Sequence, residues 1–451
     1  MLICFSLQNF KSFDNEAELS MISAQNVRDK QEHVARFAGV EILKHAVIYG
    51  ANASGKSNWI EAVRFFQYVV REKIPVWAAD MFCKTQKDNR TRETRFEIQF
   101  SIQDRFFAYG FSAVLAEQRI HEEWLYELHV DGEPSCIYER MKTGRVELSE
   151  EFLSQLNDDE KKRLQVYEDD FQEMGDTLFL RFMNQNKRYV RNSSFLVFRQ
   201  VFDWIARNIL IITPKDTFSD LSYYDDAYSL EKVNMLIRSF DTGISKIEIK
   251  KSSYKEMKKI LPGEIYEHFK EQVEKRLRED EAFRLTIRSD DSFFSVSADG
   301  TDTFVVSTLR LRHENSDFDF WFNEESDGTR RLFDLLDMIL KRENDVVYIV
   351  DELERSLHPK LTEHFLRLFM KENGAGEKQL IFSTHEASIM NQKLFRRDEI
   401  WFVERSFAHA SRLYSLNRFR NRYDKVLGKA YLEGRYGAIP VLSSFEYGED
   451  E

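Results

Sequence analysis

Cysteine is nearly missing from this chain: three residues in 451 (Cys4, Cys83 and Cys136), far apart and without any paired spacing. Nothing therefore points to a disulfide framework or a cysteine-based metal site, and the three read as reduced, mostly structural thiols of a cytoplasmic protein. Proline (6) and glycine (17) are sparse as well, which excludes a collagenous or low-complexity chain. No apolar run approaches the roughly 18 residues of a membrane helix. VVYIV and NILII have the length of buried strands. The opening MLICFSLQNFKSF lacks the basic flank and long apolar stretch of a signal peptide, so neither membrane nor export is expected. Positive charge is in deficit, 65 Lys+Arg against 77 Asp+Glu, for a net charge of −12. That argues against a surface coated throughout by nucleic acid and leaves room only for a local basic patch.

What is present is core material: 42% hydrophobic and 14% aromatic residues, in a length that implies two or three structural units. LICFSLQNF and AELSMI alternate like paired antiparallel strands, and HAVIYG (45–50) is a short buried strand before the helix-like NWIEAVRFFQYVV. After the polar, net-basic stretch 84–95 come the β-rich segments RFEIQFSI, RFFAYGFSAVL and IHEEWLYELHV, closed by the turn Asp131-Gly132. From about 140 to 290 the pattern reads as mainly helical and charged, with one or two long helices over 178–209 and an amphipathic one over 264–280. Strands return with FFSVS and FVVSTLRLRH. The last part alternates helix and strand: RRLFDLLDMILKR, VVYIVDE, KLTEHFLRLFM, KQLIFSTH, EIWFVER. Strand–helix alternation at both ends predicts an α/β domain, a parallel sheet with helices plus an antiparallel β part, split by an insertion. The expected divisions are 1–139, 140–290 and 291–451.

Four features carry chemistry. GANASGKS, Gly50 to Ser57, fits G-x-x-x-x-G-K-[S/T] after an apolar strand and before an amphipathic helix. Its glycines let backbone N–H groups curl around phosphate oxygens, Lys56 supplies a point charge, and the Ser57 hydroxyl suits Mg²⁺. Gly50, Asn52, Ala53, Ser54, Gly55, Lys56, Ser57 and Asn58 are thus the candidates for ATP. VVYIVDE describes a buried strand delivering Asp351 and Glu352 at its C-terminal edge, where open α/β sheets bind ligands. Asp351 suits the Mg²⁺ shell, and Glu352 suits polarising the attacking water. KQLIFSTH ends in His385, one helix and one strand later, within reach of a γ-phosphate. ESDGTRRLFDLLDMIL places Ser326, Asp327 and Gly328 at a helix start with Arg330 in the first turn. Arginine there opposes the helix dipole, a local cost that an anion would offset.

Taken in order, these features resemble an ABC-type ATPase head: Walker A, signature, Walker B with a catalytic glutamate, D-loop and H-switch. The split arrangement resembles the heads of structural-maintenance-of-chromosomes and double-strand-break-repair ATPases. The chain is more closely similar to stand-alone bacterial ATPases of the AbiL/RloA type, found in anti-phage abortive-infection operons. NFKSF (9–13), FEIQF (96–100), EESDGTRRL (324–332), DELERSLHP (351–359), FSTHE (382–386) and YLEGRYGAIP (431–440) carry that likeness. The signature departs from the usual Ser-Gly-Gly at Asp327, and no glutamine takes a clear Q-loop position.

The resemblance implies ATP and Mg²⁺ as cofactors, Glu352 and His385 as catalytic groups, and a head-to-head dimer or higher homo-oligomer. In that dimer Ser326, Gly328 and Arg330 of one chain would face the phosphate loop of another. It further implies a separately encoded toxic effector, a Toprim-like or RloB-like nuclease as in the PARIS defence pair, and a phage-encoded trigger. The alternative is a DNA-binding repair ATPase. The stretch 84–95 with Arg418, Arg420 and Arg422 favours it, but sustained heptads between the halves are missing. A transporter's ATPase subunit would carry its signature much nearer the phosphate loop.

Overall fold

A computed structural model describes residues 1–172, 174–214, 227–278, 282–289, 292–298, 304–341, 344–419 and 427–440. Arg420 and Arg422 lie outside them. The chain forms two compact units: Met1–Ile211 with Asn344–Leu353 and Gly374–Glu451, and Ile212–Glu343 with Glu354–Asn373. The α/β class is as expected, and the first unit is split, being built from three separate segments of the chain. The boundaries differ from those read in the composition, because contacts and not charge density decide them. Residues 140–211 pack with the first unit, and the helix Asp327–Leu340 with the second.

The first unit holds two large sheets. One is antiparallel, in the order Val146–Leu148, Ser135–Arg140, Arg119–Leu128, Arg105–Val114, Thr94–Ile102, Leu2–Gln8, Ala17–Ser20. The other runs Ile209–Ile212, Val347–Val350, Gln379–Thr384, His45–Tyr49, Ile400–Arg405, Ser411–Ser415. Its four central strands are parallel and buried along nearly their whole length, which is why they read as short continuous apolar runs. The helix Lys56–Arg71 packs an aromatic face on the antiparallel sheet: Trp59 lies edge-on to Phe5 at 5.8 Å and Phe66 stacks on Phe111 at 5.7 Å. Each such ring contributes about 1.5–3 kcal/mol by burial, so the start of this helix is firmly held. The amide of buried Gln379 joins the two sheets, accepting from Leu2 N (2.6 Å) and donating to the carbonyls of Leu2 (2.8 Å) and Leu43 (2.9 Å).

A further tie is a buried carboxylate. Glu399 accepts from His33 Nδ1 (2.9 Å), from His45 Nδ1 (3.3 Å) and from the Arg396 backbone N–H (2.8 Å). Burial alone would raise its pKa, but the two imidazoles outweigh that and hold it at about 2. Arg396, wholly buried, is neutralised by Asp398 at 2.8 Å.

The stretch 178–209 does not form long helices. It makes Phe179–Asn184, Leu196–Asp203 and one π-helical turn before the strand Ile209–Ile212. Asn184 ends the first helix by turning its side-chain amide to the carbonyls of Leu180 and Phe198. The second unit is not only helical. Its antiparallel sheet runs Ile244–Ser252, Phe304–His313, Ser292–Ala298, Phe283–Ser289, with Asp319–Trp321 added to the second strand. Met257, Tyr266, Phe269 and Val273 cover it with a small core.

Among the described residues no helix is long and apolar enough to cross a membrane. All three cysteines are free thiols.

Candidate functional site

In the first unit the chemistry-bearing strand ends meet at one edge. Val350 pairs with Phe382 and Thr384 with Tyr49 in parallel register, so Gly50, Asp351, Glu352 and His385 all emerge at the C-terminal edge of adjacent strands, the ligand-binding edge of such sheets.

The loop 50–55 is shaped by its glycines and by left-handed backbone at Ala53 (φ 59°) and Gly55 (φ 115°), the local geometry of an anion-binding nest. A Cβ on Gly50 would lie 2.4 Å from the Val403 carbonyl oxygen, and one on Gly55 2.3 Å from Ser411 Oγ. Both positions therefore admit only glycine. Lys56 is nearly buried, and its ammonium donates to the carbonyls of Gly50 (2.7 Å) and Ala51 (3.1 Å) and to His385 Nδ1 (3.3 Å). That last bond leaves the imidazole proton on Nε2, which faces Glu352 Oε1 at 4.0 Å. His385 thus stands between the lysine and the carboxylate. Asn52, Ala53 and Ser57 face solvent at the mouth, while Ser54 is buried and its hydroxyl has no hydrogen-bond partner among the described residues.

Asp351 is buried, and Ser383 Oγ donates to its Oδ1 at 2.5 Å while accepting from the Glu352 N–H at 2.9 Å. Glu352 itself is left-handed (φ 49°) with its side chain 41% exposed. A non-glycine residue held there stores about 1 kcal/mol of strain, and the reward is a carboxylate aimed at water. Ser57 and Asp351 offer the hard oxygen donors that Mg²⁺ takes.

In the second unit Ser326 caps the helix Asp327–Leu340, accepting from Thr329 N at 3.1 Å. Two residues of this cap also have local contacts. The Arg330 guanidinium already has an anion, Asp327 of its own first turn, at 2.5 Å, so no external anion is needed to offset its position. Gly328 has a packing reason as well: a Cβ there would meet the Ser356 carbonyl oxygen at 2.5 Å.

The basic stretch 84–95 is partly consumed by structure, since Arg92 pairs with Asp14 at 2.7 Å and Asn89 donates to the same carboxylate at 2.9 Å. Sequence reasoning missed Ser12, Ser383 and Ser411. Ser12 and Ser383 lay inside motifs already noticed, NFKSF and FSTHE, but Ser411 gave no signal at all.

Solved structures to which the chain is similar at low identity include two SMC heads. One is an SMC head bound to the C-winged helix domain of ScpA, at 14% identity, covering 92% of this chain and 97% of that one, with a TM-score of 0.42. The other is the SMC head domain from Thermotoga maritima, at 15% identity, covering 92% and 98%, with a TM-score of 0.35. No curated protein matches it. Residues 46–391, from the strand before the phosphate loop to beyond His385, match the family AAA_21, described as "AAA domain, putative AbiEii toxin, Type IV TA system". With most of its length inside that match, the chain belongs to the AAA_21 family of AAA domains.

Proposed function

We propose that this protein binds and hydrolyses ATP with Mg²⁺, pairs its heads in doing so, and controls a separately encoded toxic effector in bacterial anti-phage defence. The observation that carries the catalytic part is the convergence of the 50–57 loop, Asp351, Glu352 and His385 on one sheet edge. In this reading the loop N–H groups and Lys56 hold the phosphates, and Ser57 and Asp351 hold the ion that offsets their charge. Glu352 takes a proton from the attacking water, and His385 donates from Nε2 to the terminal phosphate. Ser326, Gly328 and Arg330 act on the nucleotide of a second chain. The family description, with its toxin–antitoxin wording, supports placing the protein beside an effector. By the AbiL/RloA likeness that effector is a Toprim-like or RloB-like nuclease in the cytoplasm, released by a phage-encoded trigger.

Purified protein should release phosphate from ATP only with Mg²⁺ present, and Lys56→Ala should lose both ATP binding and phage protection. Wild-type ATP affinity in Lys56→Ala refutes the phosphate-loop assignment. An ATPase-dead chain that still protects cells refutes the coupling of protection to hydrolysis, and a wild-type chain that gives no protection when expressed with its neighbouring genes refutes the defence role.

A further inference from the structure

Behind the phosphate loop runs a chain of hydroxyl groups with no part in the chemistry above. Asn58 Nδ2 donates to Ser12 Oγ at 2.8 Å. The Ser12 and Ser411 hydroxyls are 2.7 Å apart, and Ser411 Oγ donates to the Ser54 carbonyl at 2.5 Å. The Ser411 backbone N–H also donates to the Ser12 carbonyl at 2.7 Å, which fixes the two serines against each other. Each hydroxyl has one proton, so only one ordering uses every proton once: Asn58 N–H to Ser12, Ser12 O–H to Ser411, Ser411 O–H to the Ser54 carbonyl. The chain starts and ends on the loop–helix segment, yet its middle comes from residues 399 positions apart. Gly55 lies directly on it, since a Cβ there would stand 2.3 Å from Ser411 Oγ and 2.7 Å from Ser12 Oγ.

The consequence is directional. There are no cis peptides among the described residues, and in a trans peptide the carbonyl and the following N–H point opposite ways. Holding the Ser54 carbonyl back against Ser411 therefore turns the Gly55 N–H forward, out of the relay and toward the mouth of the loop. We propose that Ser411, supported by Ser12, is a positioning residue that aims the Gly55 N–H at a phosphate of the bound nucleotide. This rests on the phosphate-loop reading of 50–57.

The test measures binding of ATP, ADP and pyrophosphate to wild type, Ser411→Ala, Ser12→Ala and the double variant. Ser411→Ala removes the bond that orients the peptide, and one hydrogen bond corresponds to a loss of roughly 3- to 10-fold. That loss should be equal for ATP, ADP and pyrophosphate, because it acts at the phosphates and not at the base. Ser12→Ala should weaken binding less, and the double variant should be no worse than Ser411→Ala, since both lesions sever one chain. If alanine at 411 prevents folding, Ser411→Cys repeats the measurement with a poor hydrogen-bond donor of similar volume. The relay is overturned if the 411 variant binds ATP within twofold of wild type, or if ATP weakens while pyrophosphate does not. A wild-type protein that binds no ATP overturns the phosphate-loop reading, and the relay with it.

Discussion

Glu352 offers the sharpest perturbation, because strain and chemistry meet in one residue. Replacing it by glutamine keeps the side-chain volume, the left-handed backbone and the N–H bond to Ser383 at 2.9 Å, so nucleotide affinity should stay within about twofold. What changes is proton-accepting power. Loss of a general base slows turnover by about 10²–10⁴-fold, that is, about 3–5 kcal/mol of barrier. Glu352→Gly adds an independent readout. Glycine occupies φ 49° without the Cβ penalty, so this variant should be as inactive as glutamine yet up to about 1 kcal/mol more stable. Phosphate release under saturating ATP, titration calorimetry and denaturant melts on the three proteins provide the comparison. Turnover by Glu352→Gln within about threefold of wild type refutes the assignment and moves the role to His385. A glycine variant less stable than wild type refutes the strain.

Other outcomes follow from the same geometry. Gly328→Ala should destabilise the second unit by about 1–3 kcal/mol through collision with the Ser356 carbonyl, visible as faster proteolysis of that unit without nucleotide; wild-type resistance would show that the close approach does not constrain position 328. Stability should fall with pH in two windows. Burial lowers the His45 pKa from 6.5, so the unfolded chain takes a proton that the folded one refuses, and stability is lost as pH drops below about 6.5. The Glu399 carboxyl, held at about 2 against an ordinary 4.5, adds a further loss from about pH 4.5 downward. Urea midpoints between pH 7 and 4 should decline for wild type and decline less steeply at the lower end for Glu399→Gln; parallel declines would remove Glu399 from the account.

The parts of the candidate site legible in the sequence are those whose determinants are contiguous. GANASGKS carries its own turn glycines, and the strands before Asp351 and His385 end where a parallel sheet collects ligands. The helix cap at Ser326 was legible for the same reason, whereas the roles of its neighbours were not: Asp327 satisfying Arg330 and Ser356 crowding Gly328 are tertiary facts. Ser12 and Ser411 escaped because a serine has no periodic signature and its partner lies 399 residues away. Within the fold, apolar density over 178–209 read as helix length, but buried Asn184 breaks it. The strand Ile244–Ser252 was hidden by lysines on its outer side, and charge alone does not tell a solvated strand from a solvated helix.

The strand order also sets a timetable for synthesis. His45–Tyr49, which delivers the phosphate loop, is flanked by Gln379–Thr384 and Ile400–Arg405, both encoded more than 300 codons later. At roughly 5–20 residues per second, the strand leaves the ribosome with both edges bare and waits for about a quarter of a minute to just over a minute, far longer than a hairpin needs to form. A ribosome stalled before codon 379 therefore holds an intact Walker sequence that cannot yet be a nucleotide site. Its mostly apolar strand is open to chaperones or to a second nascent chain. On the function proposed above, competence to bind nucleotide is gained only once Ile400–Arg405 has been made, so a messenger cut short before that strand yields an inert fragment.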